Sequence, residues 1–199
     1  MLPLATSTWD NKEVDSINEV IKSGQYTMNH LVKKFEIEYA KYNDSKYCVM
    51  VNSGSSANLL AISALFYKNS GLKLNPGDEV IVPAVSWSTT YAPLIQFGLK
   101  IKVVDVDLDN LNIDLEKLKD AITDKTKMII CVNLLGNAND FSVIEEYIQN
   151  KDIIIFEDNC EAMGAIYKNK KTGSFGLVGT TSTFFSHIIS TIEGGLIVT

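Results

Sequence analysis

The 199-residue sequence contains only two histidines, three cysteines and four prolines, and no lysine between Phe175 and Thr199. Cys48, Cys131 and Cys160 stand far apart, with no CxxC or CxxxC pair. A disulfide framework, a zinc site and a metal cluster are therefore not expected, and reduced thiols of a cytoplasmic protein are. Basic stripes are also missing: the net charge is −6, which argues against a nucleic-acid partner. Lys168, Lys170 and Lys171 form a short run suited to a solvated turn. No apolar run approaches the roughly 18 residues of a membrane span. The opening MLPLATSTWDNKE lacks the basic-then-apolar order of a secretion signal. No GxGxxG follows a strand-like segment and no P-loop lysine is correctly spaced, so dinucleotide and NTP readings are disfavoured.

What is present is 46% hydrophobic and 21% charged, an ordinary balance for a domain with a real core. Asp10 or Asn11 can cap a helix carrying Val14, Ile17, Val20 and Ile21, which Gly24 ends. A second helix carries Leu31, Val32, Phe35, Tyr39 and Tyr42, with His30 at its start. Strands are then expected at 47–51, 79–83, 101–106, 127–132 and 153–156. Helices are expected from about Ala57 to Tyr67, from Thr90 to Phe97, after Asp114, and from Phe141 to Ile148. A glycine-bearing loop follows the fifth strand, and the chain closes on TTSTFFSHIISTIEGGLIVT, read as strand, tight polar turn, glycine pair and strand. Strands alternating with helices predict an α/β fold with a mostly parallel sheet covered on both faces. Ligands of such sheets bind beyond the carboxyl ends of the strands. That rule gathers Gly54–Ser56, Trp87, Asn133, Asp158 and the His187 turn at one rim.

Each rim residue has a plain reading beside a functional one. Gly54, Ser55 and Ser56 open a helix and can cradle an anion, or simply cap it. Trp87 can stack on a flat ring; taken alone, a core tryptophan is the commoner case. Asp158 can contact a ligand or cap a helix, and Glu161 can face the same way if a helical turn begins there. His187, among Ser182, Ser186, Ser190 and Thr191, is an acid–base candidate or a satisfied loop residue. Taken together the parts fit one ligand: a phosphate for Gly54, Ser55, Ser56 and Ser182, a flat ring for Trp87, and a ring nitrogen for Asp158. Pyridoxal 5'-phosphate has these three handles, and a carboxylate at its ring nitrogen keeps the ring an electron sink.

NSGSSANLLAI, GDEVIVPAVSWSTT, VNLLGN, FEDNCEAMGA, KTGSFG and FFSHIISTIEGGLIVT follow one another in an order that resembles the DegT/StrS family of vitamin-B6-dependent sugar aminotransferases. The resemblance implies a type I aminotransferase large domain, with Gly54, Ser55 and Ser182 at the cofactor phosphate, Trp87 on the ring and Asp158 at the ring nitrogen. Glu161 falls where those aminotransferases usually carry a glutamine near the ring hydroxyl. His187 is the departure: the family's cofactor-linking lysine belongs in its place, counting back from Glu193-Gly194-Gly195.

A histidine there looks like the sugar 3-dehydratase branch of the family, which acts on nucleotide-linked 4-keto-6-deoxy sugars. This implies pyridoxamine 5'-phosphate held without a covalent link, His187 as catalytic base, glutamate as amino donor, and a role in deoxysugar and lipopolysaccharide biosynthesis. Family sites are built between two subunits, so a homodimer is expected. Family members are longer, so residues 1–199 are expected to be the N-terminal segment and most of the large domain, without the small C-terminal domain. An aminotransferase recruiting a lysine from elsewhere, and an inactive homologue that only binds cofactor or a partner, remain as alternatives.

Overall fold

The computed structural model describes residues 7–199; the first six residues, part of the segment read above for a secretion signal, lie outside the described residues. Helix α1 (Asn11–Ser23) starts on Asp10, which accepts from the Lys12 N–H, while Glu13 reaches back to the Asp10 N–H at 2.8 Å. Gly24 closes it with φ 70°, the left-handed conformation that favours glycine. α2 (His30–Tyr42) is capped by Asn29 and leaves His30 exposed.

The alternating part follows: β1 (Cys48–Val51), α3 (Gly54–Phe66), β2 (Glu79–Pro83), α4 (Ser88–Gln96), β3 (Lys100–Val104), α5 (Leu115–Ala121), β4 (Thr126–Val132), α6 (Phe141–Ile148) and β5 (Ile154–Asp158). A small hairpin, β6 (Ile166–Tyr167) and β7 (Lys170–Lys171), precedes β8 (Val178–Ser182) and β9 (Gly195–Val198).

Seven strands form one sheet in the order β1-β9-β8-β5-β4-β2-β3. β8, β5, β4, β2 and β3 are parallel neighbours, and β9 runs antiparallel between β8 and β1. The expected α/β fold with a mostly parallel sheet is therefore what the chain adopts. Strand side chains alternate between the faces. Val80, Val82, Ile130, Ile154 and Phe156 pack under Ala61, Ile62 and Leu65 of α3 and Leu94 of α4. Ile81, Ile129, Cys131 and Ile155 pack under Leu118 of α5 and Phe141 and Ile144 of α6. Tyr39 of α2 covers Leu196 and Val198 of β9.

Four expectations shift. α3 begins at Gly54, not near Ala57, because the Ser53 hydroxyl accepts the Ser56 N–H at 3.1 Å and starts the helix early. β5 runs on through Asp158, since Asp158 still pairs with Val132 of β4 and Thr180 of β8. The lysine run is indeed a turn, but it joins two short strands: Lys168 and Asn169 take φ 47° and 67°, as a two-residue hairpin requires. Finally, the link from β8 to β9 is no tight turn. Ser182 pairs with Gly195, so residues 183–194 leave the sheet as a long loop, pinned at its base by Thr183 N–H to the Gly194 carbonyl at 2.9 Å.

Candidate active site

The carboxyl ends of β1, β2, β4, β5 and β8 surround a cavity of about 430 Å³. At one side the chain leaves β1 and enters α3. The Ser56 N–H is taken by the Ser53 side chain and the Ala57 N–H by the Ser53 carbonyl. The Gly54 and Ser55 N–H groups have no acceptor among the described residues and lie in the cavity wall, at the positive end of the helix. β8 closes against this corner: a Cβ on Gly54 would sit 2.7 Å from the Ser182 Cβ and 3.1 Å from its hydroxyl oxygen. Only glycine allows that approach, and the result is two free N–H groups beside one hydroxyl.

Asp158 ends β5 with 5% of its surface exposed. Its Oδ2 accepts from the Asn58 Nδ2 at 2.9 Å and the Thr90 hydroxyl at 2.7 Å. Its Oδ1 takes one longer bond, 3.3 Å, from the Cys160 N–H. Burial, and next the negative charge of Asp158, hold the Cys160 thiol well above its ordinary value, which disfavours the reactive thiolate. Trp87 is 72% exposed at the mouth, which overturns the core reading of this residue and leaves its ring free for a ligand.

Glu161 lines the cavity with Asp158 as expected, but from an irregular turn instead of a helix. Its Oε2 accepts the Leu135 N–H at 3.1 Å and so holds the loop after β4. His187 also lines the cavity, together with Ser186 and Phe184, and its imidazole makes no hydrogen bond among the described residues. No lysine lines the cavity.

Ser182 and Ser186 share the cavity with His187, whereas Ser190 and Thr191 face Trp9, Lys12 and Ile17 near α1. Ser56 does not line the cavity; its hydroxyl accepts from Ser53 at 3.1 Å. Asn133 is at the rim but fully buried, donating to Glu157 at 3.2 Å and Asn159 at 3.1 Å. Asn58, Thr90 and Ser86 were missed. A buried amide within the apolar helix ANLLAI was the available signal, since such a group needs a partner. Among the described residues no cluster of histidine, cysteine, aspartate and glutamate could hold a metal, and no helix is long and apolar enough to cross a membrane.

The sequence is 58% identical over 197 residues to GDP-4-keto-6-deoxy-D-mannose 3-dehydratase of Yersinia pseudotuberculosis, covering 99% of this chain and 50% of that protein. The structure superposes on the Escherichia coli GDP-4-keto-6-deoxy-D-mannose-3-dehydratase with bound hydrated PLP, with a TM-score of 0.97, 57% identity, and coverage of 100% of this chain and 51% of that one. A crystal structure of GDP-4-keto-6-deoxymannose-3-dehydratase with a trapped PLP-glutamate geminal diamine gives a TM-score of 0.96 at 56% identity, with the same coverage. The chain thus spans about half the length of the curated relatives it matches. Its sheet and flanking helices are those of the type I aminotransferase fold. With a family match extending over residues 7–199, that is over every described residue, the chain belongs to the DegT/DnrJ/EryC1/StrS aminotransferase family.

Proposed function

We propose that residues 1–199 form the N-terminal segment and most of the cofactor-binding large domain of a vitamin-B6-dependent sugar 3-dehydratase. The enzyme would remove the 3-hydroxyl of a nucleotide-linked 4-keto-6-deoxy sugar in cytoplasmic deoxysugar and lipopolysaccharide synthesis. One observation carries the reading: His187 stands in the wall of the cavity and no lysine does. The walls fit the cofactor. Gly54 and Ser55 offer two free N–H groups and Ser182 a hydroxyl to a phosphate, with Ser56 holding the helix start behind them. Trp87 offers an exposed ring face, and Asp158 an oxygen with capacity to spare.

Pyridoxamine 5'-phosphate, when bound, supplies an amine for the keto group and a ring that accepts electrons. His187 would act as general base toward C4′ of the bound cofactor, and its imidazole makes no hydrogen bond among the described residues that would have to break first. Asp158 would hold the ring nitrogen and favour its protonated form. Glu161 holds the loop after β4 through the Leu135 N–H and, by the family resemblance, would stand near the cofactor's ring hydroxyl. Glutamate, which forms the adduct trapped in one relative, is the proposed amino donor, and GDP-linked 4-keto-6-deoxymannose, the substrate of the relatives, is the first sugar to test. A homodimer is part of the proposal: Leu59 and Leu60 of α3 and Ile95 of α4 are exposed apolar side chains that a second subunit would cover.

The test supplies the protein with pyridoxamine 5'-phosphate, glutamate and the keto sugar, and follows ammonia and the deoxygenated product. The expected result is turnover that falls about 10²- to 10⁴-fold in His187→Asn while cofactor is still bound. Borohydride treatment of the pyridoxal 5'-phosphate complex is expected to leave every lysine unmodified. A trapped pyridoxyl-lysine would show an aminotransferase instead, and cofactor binding without turnover on a panel of nucleotide sugars would show a binding homologue.

A further inference from the structure

Asp158 is a buried carboxylate without a cation. None of the ion pairs among the described residues involves it. Isolated buried charge is costly unless donors and a counter-charge meet it. The donors are neutral and converge on one oxygen, Oδ2: Asn58 from α3 and Thr90 from α4.

Their directions are fixed by chemistry. A carboxylate only accepts, so Asn58 must turn its NH₂ to Asp158 and its carbonyl oxygen to Thr180, whose hydroxyl donates to it at 2.6 Å. Thr90 spends its single proton on Asp158, so at the 2.7 Å contact between Ser86 and Thr90 the proton comes from Ser86. Ser86 lines the cavity. The chain of donors therefore runs from the cavity wall inward, Ser86 to Thr90 to Asp158, and bonds aligned in this way reinforce one another. Oδ1, which takes a long 3.3 Å bond from the Cys160 N–H, keeps lone-pair capacity for a ligand.

We propose that Asn58 and Thr90 are positioning residues: they clamp Oδ2 so that Oδ1 is the oxygen offered to a protonated ring nitrogen, which supplies the counter-charge Asp158 lacks. This rests on the cofactor reading above. A purely structural tie of α3 and α4 to β5 would be served equally well by apolar side chains of the same shape. It would not need one oxygen loaded and the other spared.

The test measures equilibrium binding, without turnover, of two probes: pyridoxal 5'-phosphate and its analogue with CH in place of the ring nitrogen. The wild type is expected to prefer the nitrogen-bearing probe by about tenfold or more, the scale of a charge-assisted hydrogen bond. Thr90→Val and Asn58→Leu are each expected to shrink that ratio severalfold while leaving affinity for the analogue unchanged. Thr90→Ser, which keeps the hydroxyl, should retain the ratio, and Ser86→Ala should lower it about twofold. These last two changes are mild enough to fold and carry the test if the others do not. A wild type that binds both probes alike, or neither, overturns the assignment of the ring nitrogen to Asp158. A wild type that discriminates, with variants that discriminate equally or lose both probes in parallel, overturns the role of Asn58 and Thr90 alone.

Discussion

Glu157 and Asp158 are adjacent on β5 and, by strand alternation, point to opposite faces of the sheet. Asp158 meets α3 and α4 at the cavity. Glu157, fully buried on the other face, accepts the N–H groups of Gly173, Phe175 and Gly176 at 2.6–2.7 Å and the Asn133 amide at 3.2 Å. Burial raises its carboxyl above the usual range, and these four donors oppose the shift without cancelling it. With every neighbour a donor, the carboxylate is the form this position is built for. So one acid organises the loops behind the site and the next serves the site itself. Gly54 shows the same economy of space. In Gly54→Ala the new Cβ would lie 2.7 Å from the Ser182 Cβ and 3.1 Å from the Cys160 Sγ, so β8 or α3 must give way. The expected cost is about 1–3 kcal/mol in thermal unfolding, with a parallel loss of affinity for pyridoxal 5'-phosphate. Retained affinity would place the phosphate elsewhere. That SGSSAN needs small residues was legible in the sequence; that Ser182 makes Gly54 the one that must stay small was not.

Among the elements, α2 is tied to β8 by a buried phenol. The Tyr39 hydroxyl donates to Thr181 of β8 at 3.1 Å, while the neighbouring Thr180 turns to Asn58 on the other face. Burial raises the Tyr39 hydroxyl from its ordinary value near 10 to about 12, and burial also raises the Cys48 thiol, from near 9 to about 12. Both groups ionise less readily folded than unfolded. Their contribution is intact below about pH 9 and is lost as pH rises toward 12. Alkaline unfolding curves are therefore expected to fall across that window, with Tyr39 accounting for roughly 3 kcal/mol. Tyr39→Phe should flatten the slope above pH 10, at the cost of one hydrogen bond at neutral pH. The edge strand beside it is also guarded: Glu36 of α2 accepts the outward Met50 N–H of β1 at 2.8 Å, which blunts a pairing edge.

At the scale of the whole molecule, the sheet and its two helical layers are well buried, while α1 buries no residue and leaves Val14, Ile17 and Ile21 exposed. Its caps supply most of what holds it, and a 13-residue helix on caps alone is marginal. Amide exchange is expected to be fastest in α1 and slowest in β4 and β5, with binding of a partner over the apolar stripe slowing α1 selectively; equal protection of α1 and β5 would contradict this. The chain holds no arginine and none of its lysines lines the cavity, so in the proposed function the groups this chain offers to a phosphate would be the Gly54 and Ser55 N–H groups and the Ser182 hydroxyl.

The order of strands and helices, and the gathering of Gly54, Ser55, Trp87, Asp158 and the His187 turn at that rim, were legible in the sequence alone, although the same rule also brought Ser56 and Asn133 there and neither lines the cavity. Each follows from local periodicity, turn chemistry and motif order. The tertiary structure decided what Asn133 and Glu157 do, that Ser190 and Thr191 turn away from His187, and which oxygen of Asp158 is clamped. Those depend on partners such as Asn58, 100 positions from Asp158, and Thr181, 142 from Tyr39. The faces that such residues present to one another are set by strand register and helix packing, which no local pattern encodes.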